Sequence, residues 1–316
     1  MTTTQIRPSQ ALHVAPRRRR GRPWIPLFFV LAGVVVLLYP VIATEYNNIK
    51  QHQFAQKYDK QVAEAEPVDL QTDRQRARDY NAKLEGVPIL DPWLARVSAD
   101  PRSKPYRAYL RELDRFDAMA RIRVPSVAID LPVYHGTSDE VLGRGAGHLY
   151  GTSLPVGGVG THAVLTSHRG IATATLFDHL PDVEVGDTMY VDVYGETLAY
   201  RVDQIKTVLP NQIDDLKKVD GQDYLTLMTC TPYAVNSHRL LVRGHRLAYD
   251  PAVSGATPDN STGLKLERWM YWMIAGAIVG LLAMVLITVF EVRWRRRHSG
   301  AVPPGANAPP GAGDLP

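Results

Sequence analysis

Two long uncharged stretches dominate the pattern of apolar and polar positions. Residues 24–43 and 269–290 contain no charged side chain. A helix needs about 20 apolar residues to cross the hydrocarbon core of a bilayer. Trp24 and Trp272 lie near the ends of these stretches, where amphipathic aromatic side chains favour the membrane interface. The pattern predicts two transmembrane helices, and a cleaved signal peptide is the alternative for the first stretch.

The region after the first stretch has a helical composition. Residues 44–66 contain many helix formers, and a second helix is predicted after Pro67, ending by Gly86. Residues 87–105 contain four prolines and no sustained period, which predicts a loop. A short helix is predicted at 106–116.

From Ala120 onward, short apolar strands alternate with turn residues. Pro125 divides the first two strands, and Tyr194–Gly195 marks a hairpin turn. Residues 173–180 predict a short helix within this region. Seven or eight short strands with few helices favour a mainly β fold of roughly 130 residues, either a compact barrel or a sandwich.

Basic residues flank both uncharged stretches on their outer sides. The sequences RRRRGR (17–22) and RWRRRH (293–298) predict that both termini are cytoplasmic. Without the two tails, the rest of the chain has a net charge of −4, against +4 for the whole. The positive net charge of the whole chain therefore comes from the tails, which would lie beside an anionic membrane surface, and it does not indicate nucleic-acid binding.

These observations predict the following organisation. The segments are a cytoplasmic basic tail (1–23), a transmembrane helix (24–43), an extracytoplasmic helical region (44–117) with the loop 87–105, a β-domain (118–249), a linker (250–268), a second transmembrane helix (269–290) and a cytoplasmic basic, Pro/Gly-rich tail (291–316).

Cys230 is the single cysteine of the chain. It can form no disulfide within the chain, which leaves an intermolecular bridge, an inert buried side chain or a reactive thiol. It ends an apolar strand, and Arg239 begins the next strand nine residues later. If these strands share a sheet, both side chains can face one cleft, where an arginine can stabilise an oxyanion. His168, at the end of another strand, is the best placed candidate base.

The stretch TLMTCTPYAVNSHRLLVRG (226–244) resembles the signature of sortases, as do GAGHLYGTSLPVGG (145–158) and THAVLTSHRG (161–170). The resemblance covers about residues 118–248. It implies a closed sortase-type β-barrel of about eight strands, with Cys230 as nucleophile, His168 as acid and base, and Arg239 as oxyanion stabiliser. Small departures from the signature stand at Ala234 and Ser167, where glycine is common.

Two further features resemble the pilus-assembling, class C sortases. One is a membrane helix at each end, and the other is the sequence Asp91–Pro92–Trp93 in the proline-rich loop. The resemblance implies a lid in which Asp91 pairs with Arg239 and Trp93 covers Cys230. A turn with a packed tryptophan is the alternative reading of these residues.

The implied function is that of a membrane-anchored cysteine transpeptidase in a Gram-positive type of cell envelope. It would cleave a Leu-Pro-x-Thr-Gly-like sorting signal between Thr and Gly through a thioester, and join the Thr to an amine, here a pilin lysine. Attachment of surface proteins to peptidoglycan, a cysteine hydrolase and a non-catalytic membrane-tethered scaffold are the alternatives. No cofactor is implied, and the sequence offers no metal site: it lacks HExxH and a convincing carboxylate cluster.

Overall fold

The computed structural model describes residues 24–84, 103–212, 214–248 and 266–298. The helices in these ranges are α1 (Trp24–Glu64), α2 (Pro67–Ala82), α3 (Lys104–Tyr109), α4 (Asp139–Arg144) and α5 (Arg268–His298). The strands are β1 (Ala120–Val124), β2 (Ile129–His135), β3 (Ala146–His148), β4 (Thr161–Thr166), β5 (Thr188–Val193), β6 (Glu196–Val208), β7 (Asp223–Thr231) and β8 (His238–Leu247).

The chain divides into two compact units. One contains α1 up to Leu38 together with α5 from Tyr271, and the other runs from Tyr39 to Met270. In the first unit, a Cβ atom added to Gly280 would lie 3.8 Å from the Val34 side chain, an ordinary van der Waals distance, so α5 and α1 are neighbours at this point. The stretches Ile25–Glu64 and Arg268–Trp294 are each long and apolar enough to cross a membrane, judged by length and composition.

The second unit is built around a closed barrel of the eight strands. Their order is β1-β2-β3-β4-β7-β8-β6-β5, with β5 returning to β1. The pairs β2–β3 and β4–β7 are parallel, and the others are antiparallel. The sequence-based prediction of a mainly β domain is confirmed in its barrel form.

Two turns follow directly from the local sequence. Pro125 starts a short 3₁₀ turn that separates β1 from β2, because proline cannot continue the hydrogen-bond ladder. Tyr194 and Gly195 have φ values of 49° and 82°, as the tight turn between two antiparallel strands requires. This hairpin lies where the sequence predicted it.

The side chains of the strands point alternately into the barrel and toward its outer face, and each side has an apolar cluster. One set fills the barrel and forms the main core, to which Ala163, Leu165, Leu225, Leu227, Leu240 and Val242 belong. A smaller cluster on the outer face of β4, β7 and β8 consists of Leu149, Val164, Val208, Leu216, Met228 and Leu241. Successive strand residues point to opposite faces, so the second cluster identifies which positions face outward.

Helix α1 packs along the barrel through side chains beyond Leu38. Ala55 and Tyr58 are buried, and the Tyr58 hydroxyl accepts a hydrogen bond of 2.8 Å from the backbone N–H of Tyr194. The guanidinium of Arg121 in β1 binds the carboxylates of Asp59 and Asp130. This part of α1 is therefore attached to the barrel by both apolar packing and ion pairs.

Two of the predicted elements need correction. Residues 173–180 form turns and not an α-helix, because Leu176 has a φ of 45°, which lies outside the right-handed helical region. The helix predicted at 106–116 ends early, since α3 stops at Tyr109.

Candidate active site

Cys230 lies near the end of β7, on the outer face of the barrel. Leu225 and Leu227 point into the core, whereas Met228 belongs to the outer cluster. By alternation Cys230 shares the face of Met228. Its exposed fraction is only 4%, so the thiol is sheltered although it faces outward.

Arg239 lies directly opposite Cys230 on the neighbouring strand. The two residues are paired in the antiparallel ladder between β7 and β8. Leu240 points into the core and Leu241 outward, which places Arg239 on the outer face with Cys230. Nη1 of Arg239 donates hydrogen bonds of 2.9 and 3.0 Å to the carbonyls of Asn236 and His238. These bonds hold the guanidinium close to the strand end.

His168 reaches the same face from the other side of β7. Thr166 pairs with Met228 in the parallel ladder. The pairing continues because the Ser167 N–H donates to the Met228 carbonyl at 3.3 Å and the Thr229 hydroxyl donates to the Ser167 carbonyl at 2.9 Å. Continued alternation brings His168 level with Cys230. Neighbouring strands lie about 4.8 Å apart, so the side chains at this level are within reach of one another.

The end of β4, extended by two residues, thus directs the imidazole toward one side of the Cys230 thiol, and the guanidinium of Arg239 lies on the other side. Burial lowers the pKa of His168, and the negative charge of Asp139 opposes part of that effect. A neutral imidazole can take a proton, and its protonated form is a stronger acid than an exposed histidine. The arrangement can therefore support nucleophilic attack by sulfur, proton transfer and stabilisation of a developing oxyanion.

The backbone after His168 is tied to the strand end that carries Cys230. Nη1 of Arg169 donates to the Thr231 hydroxyl at 3.3 Å, and its guanidinium lies over the Tyr233 ring at 5.6 Å. A Cβ atom added to Gly170 would meet Ala234 and Tyr233 at 3.3–3.4 Å. The two loops therefore pack tightly and fix the histidine relative to the cysteine.

Several supporting residues were not predicted from the sequence. Asp178 accepts a hydrogen bond of 2.6 Å from the Gly170 N–H, and Asp139 acts on His168 through its charge. Neither residue has a sequence signal of its own, because isolated aspartates in loops and at helix starts are common. The predicted lid residues Asp91, Pro92 and Trp93 lie outside the described residues. Across the described ranges, no group of three His, Cys, Asp or Glu side chains could hold a metal ion.

Comparisons with known proteins assign the chain to a family. The model of the sortase domain family matches residues 122–247. Sortase C-1 from Actinomyces oris is 52% identical with a TM-score of 0.55, and the match covers 57% of this chain and 99% of that one. Sortase A from Corynebacterium diphtheriae is 48% identical with a TM-score of 0.58, covering 66% and 98% of the two chains. A lid mutant of that enzyme also matches, at 47% identity and a TM-score of 0.55 over 60% and 98% of the chains.

A third relative has been studied in relation to its substrate. Sortase C from Streptococcus pneumoniae, whose structure was related to catalysis and pilin substrate specificity, is 40% identical with a TM-score of 0.57. That match covers 62% of this chain and 97% of the relative. Fold and matches together define a cysteine transpeptidase. The chain belongs to the sortase family, and its structural neighbours include class C sortases.

Proposed function

We propose that this sortase cleaves a Leu-Pro-x-Thr-Gly-like signal between Thr and Gly and joins the Thr to a lysine amine of a pilin. One observation carries the proposal: Cys230 is paired with Arg239 in the β7–β8 ladder, and the contacts between β4 and β7 continue past Thr166 to Ser167, the residue before His168. Such side-by-side placement is what a nucleophile, a proton-transfer group and an oxyanion donor require.

The proposed reaction has two halves. In the first, the Cys230 thiol gives its proton to His168 and the sulfur attacks the Thr carbonyl carbon; the C–N bond to Gly then breaks, and the departing amine takes that proton from His168. In the second, the neutral lysine nitrogen attacks the thioester carbon and its proton passes to His168; the C–S bond then breaks, and the sulfur takes the proton back. Arg239 stabilises the oxyanion of each tetrahedral intermediate. The sheltered thiol favours the amine over water as the second nucleophile.

Pilin as the acceptor is supported by the relatives. Sortase C from Streptococcus pneumoniae is described with a pilin substrate specificity, and its match spans almost that entire chain. Preference of the purified protein for a cell-wall precursor amine over pilin lysine would replace this acceptor by the peptidoglycan alternative.

A lid and a two-pass anchor complete the proposal. The lid comprises Asp91, Pro92 and Trp93, with Asp91 against Arg239 and Trp93 over Cys230, and the lid mutant of the Corynebacterium diphtheriae enzyme supports it. The stretches Ile25–Glu64 and Arg268–Trp294 support the anchor by their length and apolar composition. Basic flanks on both support cytoplasmic termini.

The test is transpeptidation of a sorting peptide to a lysine-containing pilin, with the linkage mapped by mass spectrometry. Cys230→Ala should form no thioester. His168→Ala should lower the rate by about 10²–10⁴-fold, and Arg239→Ala by about 10²–10³-fold. His238→Ala is the matched control, because His238 is the chain neighbour of Arg239 and alternation directs it to the other face. An acyl-enzyme on the Cys230→Ala protein, or full rates for His168→Ala, would contradict the proposal.

A further inference from the structure

The loop that follows His168 is held at its tip by α1. The hydroxyl of Thr44 donates to the Ala172 carbonyl at 3.1 Å, and the Asn47 amide donates to the Thr173 carbonyl at 2.8 Å. These residues are more than 120 positions apart in the chain. The contacts therefore join the segment next to the first apolar stretch to the loop next to the proposed catalytic histidine.

Asn48 makes a two-way contact with Thr175 in the same loop. Its Nδ2 donates to the Thr175 hydroxyl at 2.9 Å, and its Oδ1 accepts from the Thr175 N–H at 3.1 Å. A side-chain amide that both donates and accepts defines the position and orientation of its partner. The loop backbone at Thr175 is fixed by this pair.

Thr44, Asn47 and Asn48 occupy one face of α1. Residues three and four positions apart lie next to each other on a helix surface. Farther along, Ala55 and Tyr58 are buried against the barrel. Threonine and asparagine are poorer helix formers than alanine. In this cluster each of the three side chains makes a hydrogen bond to the loop after His168.

The loop transmits this restraint back to His168. The Phe177 N–H donates to the His168 carbonyl at 3.1 Å, and the Asp178 carboxylate accepts from the Gly170 N–H at 2.6 Å. Ala174 and Phe177 are anchored in the core. Hydrogen bonds thus join the two ends of segment 168–178, two of its side chains pack in the core, and α1 holds its middle.

We infer that Thr44, Asn47 and Asn48 are positioning residues for His168, and that α1 sets the geometry of proton transfer in addition to any anchoring role. The inference rests on the proposed function, because it assigns the proton-transfer step to His168. The expected consequence is that the rate of the chemical step depends on side chains of α1.

The test uses the full-length protein in detergent micelles and the sorting-peptide assay. Asn48→Ala should lower kcat about tenfold, because small displacements of a catalytic group weaken proton transfer strongly. KM for the peptide should stay within about twofold, because Cys230 and Arg239 keep their ladder contacts.

The Asn48→Ala change should also loosen the loop and expose the His168 imidazole to solvent. The limb of the pH–rate profile that follows His168 should therefore move to higher pH, toward the ordinary histidine value.

Matched variants separate positioning from general loss of structure. Gln56→Ala removes an exposed amide of α1 whose Nε2 lies 2.9 Å from Nε2 of His52 in the same helix, and this variant should keep kcat and the pH profile. Thr175→Val keeps the branched shape but removes the hydroxyl, and should lower kcat. Thr175→Ser retains the hydroxyl and should recover most of that loss. This pair decides the question even if Asn48→Ala is unstable.

The outcomes distinguish this inference from the function on which it rests. If Asn48→Ala and Thr175→Val match Gln56→Ala in kcat and pH profile while His168→Ala is inactive, the positioning role is wrong and the catalytic assignment stands. If His168→Ala is fully active, the catalytic assignment itself is wrong.

Discussion

Cys230 combines an outward-facing position with an exposed fraction of 4%. A thiol on the outer face of a barrel can serve as a nucleophile only if substrate and reagents gain access to it. The proposed lid assigns control of that access to Trp93, with Asp91 holding the loop against Arg239. The contribution of each lid residue to the accessibility of the sulfur can therefore be measured by substituting that residue alone.

Trp93→Ala or Asp91→Ala should accelerate alkylation of Cys230 by a thiol reagent, because the thiol loses its proposed cover. The rate is measured by mass spectrometry on the single cysteine. Val159→Ala is the control, since Val159 is 83% exposed in a loop before β4, at the opposite end of that strand from His168. Equal alkylation rates in all the variants would show that these residues do not shield the thiol.

The two departures from the family signature have local explanations. Ala234 has a φ of 61°, a left-handed conformation that glycine adopts without the steric cost of a Cβ atom. Ser167 uses its hydroxyl to donate to the Gly145 carbonyl at 2.7 Å. The first departure is tolerated at some backbone cost, and the second adds a contact that glycine could not make.

At the scale of elements, alternation and turn residues predicted the strands better than the helices. The strands on either side of Pro125 and the hairpin at Tyr194–Gly195 lie where predicted. Strand β3 was not predicted, because its three residues lie in a glycine-rich stretch with no alternation to read. The helix predicted at 173–180 is absent because the backbone turns there, with Leu176 at a φ of 45°, a conformation that the spacing of apolar residues does not reveal.

The sequence predicted only those residues of the candidate site that belong to local motifs. Cys230, Arg239 and His168 were chosen because each lies at a strand end. The support from Asn48 and Asp178 depends on hydrogen bonds to loop atoms that the sequence does not pair with them. A polar side chain on a helix looks the same in sequence whether it faces solvent or a distant loop.

β3 ends in a buried histidine that couples the barrel to α3. His148 is fully buried, its Nε2 donates to the Ser153 carbonyl at 2.8 Å, and its Nδ1 lies 3.1 Å from the Tyr109 hydroxyl. Burial lowers the pKa of His148 to about 4, an effect only partly opposed by the hydrogen bond to Ser153. The folded protein therefore holds this side chain in its neutral form.

Acid should destabilise the barrel through His148. Its pKa is lower in the folded than in the unfolded state, so its contribution is complete above about pH 6.5 and decreases as the pH falls toward 4. The free energy of unfolding should lose about 2 kcal/mol between pH 7 and pH 5 from this residue. Urea unfolding at both pH values should show a smaller pH dependence for His148→Gln, although that variant is less stable overall. An identical pH dependence for the two proteins would rule out this role.

At the scale of the whole molecule, both segments that lead into the apolar helices contact the stretch after His168. Thr44 and Asn48 bind it from α1, and Glu267, just before α5, lies 2.7 Å from Nε2 of His179. Burial lowers the pKa of His179, but its hydrogen bonds with Glu267 and Asp182 outweigh that effect and raise the pKa above the ordinary value. The loop after His168 is thus linked to each end of the unit that runs from Tyr39 to Met270.

The proposed topology predicts which parts of the chain an external protease can reach. Protease added to intact protoplasts should cleave within residues 44–268 and leave tags at both termini protected, because two spans place both ends on the cytoplasmic side. Permeabilised cells provide the control, in which both tags are lost. Protection of the central region in intact cells, or loss of either tag, would contradict a two-pass anchor with an external catalytic domain.

The alternation along β4, β7 and β8 has a consequence for how the chain can change over evolution. Inserting or deleting one residue in β7 ahead of Met228 would turn both Met228 and the thiol from the outer face toward the core. Changes of length should therefore survive in the connections between strands, such as residues 209–222 before β7, and be eliminated within the strands themselves. A duplicated or recombined gene would keep the proposed reaction only if the alternation in these three strands still placed the site residues on the outer face.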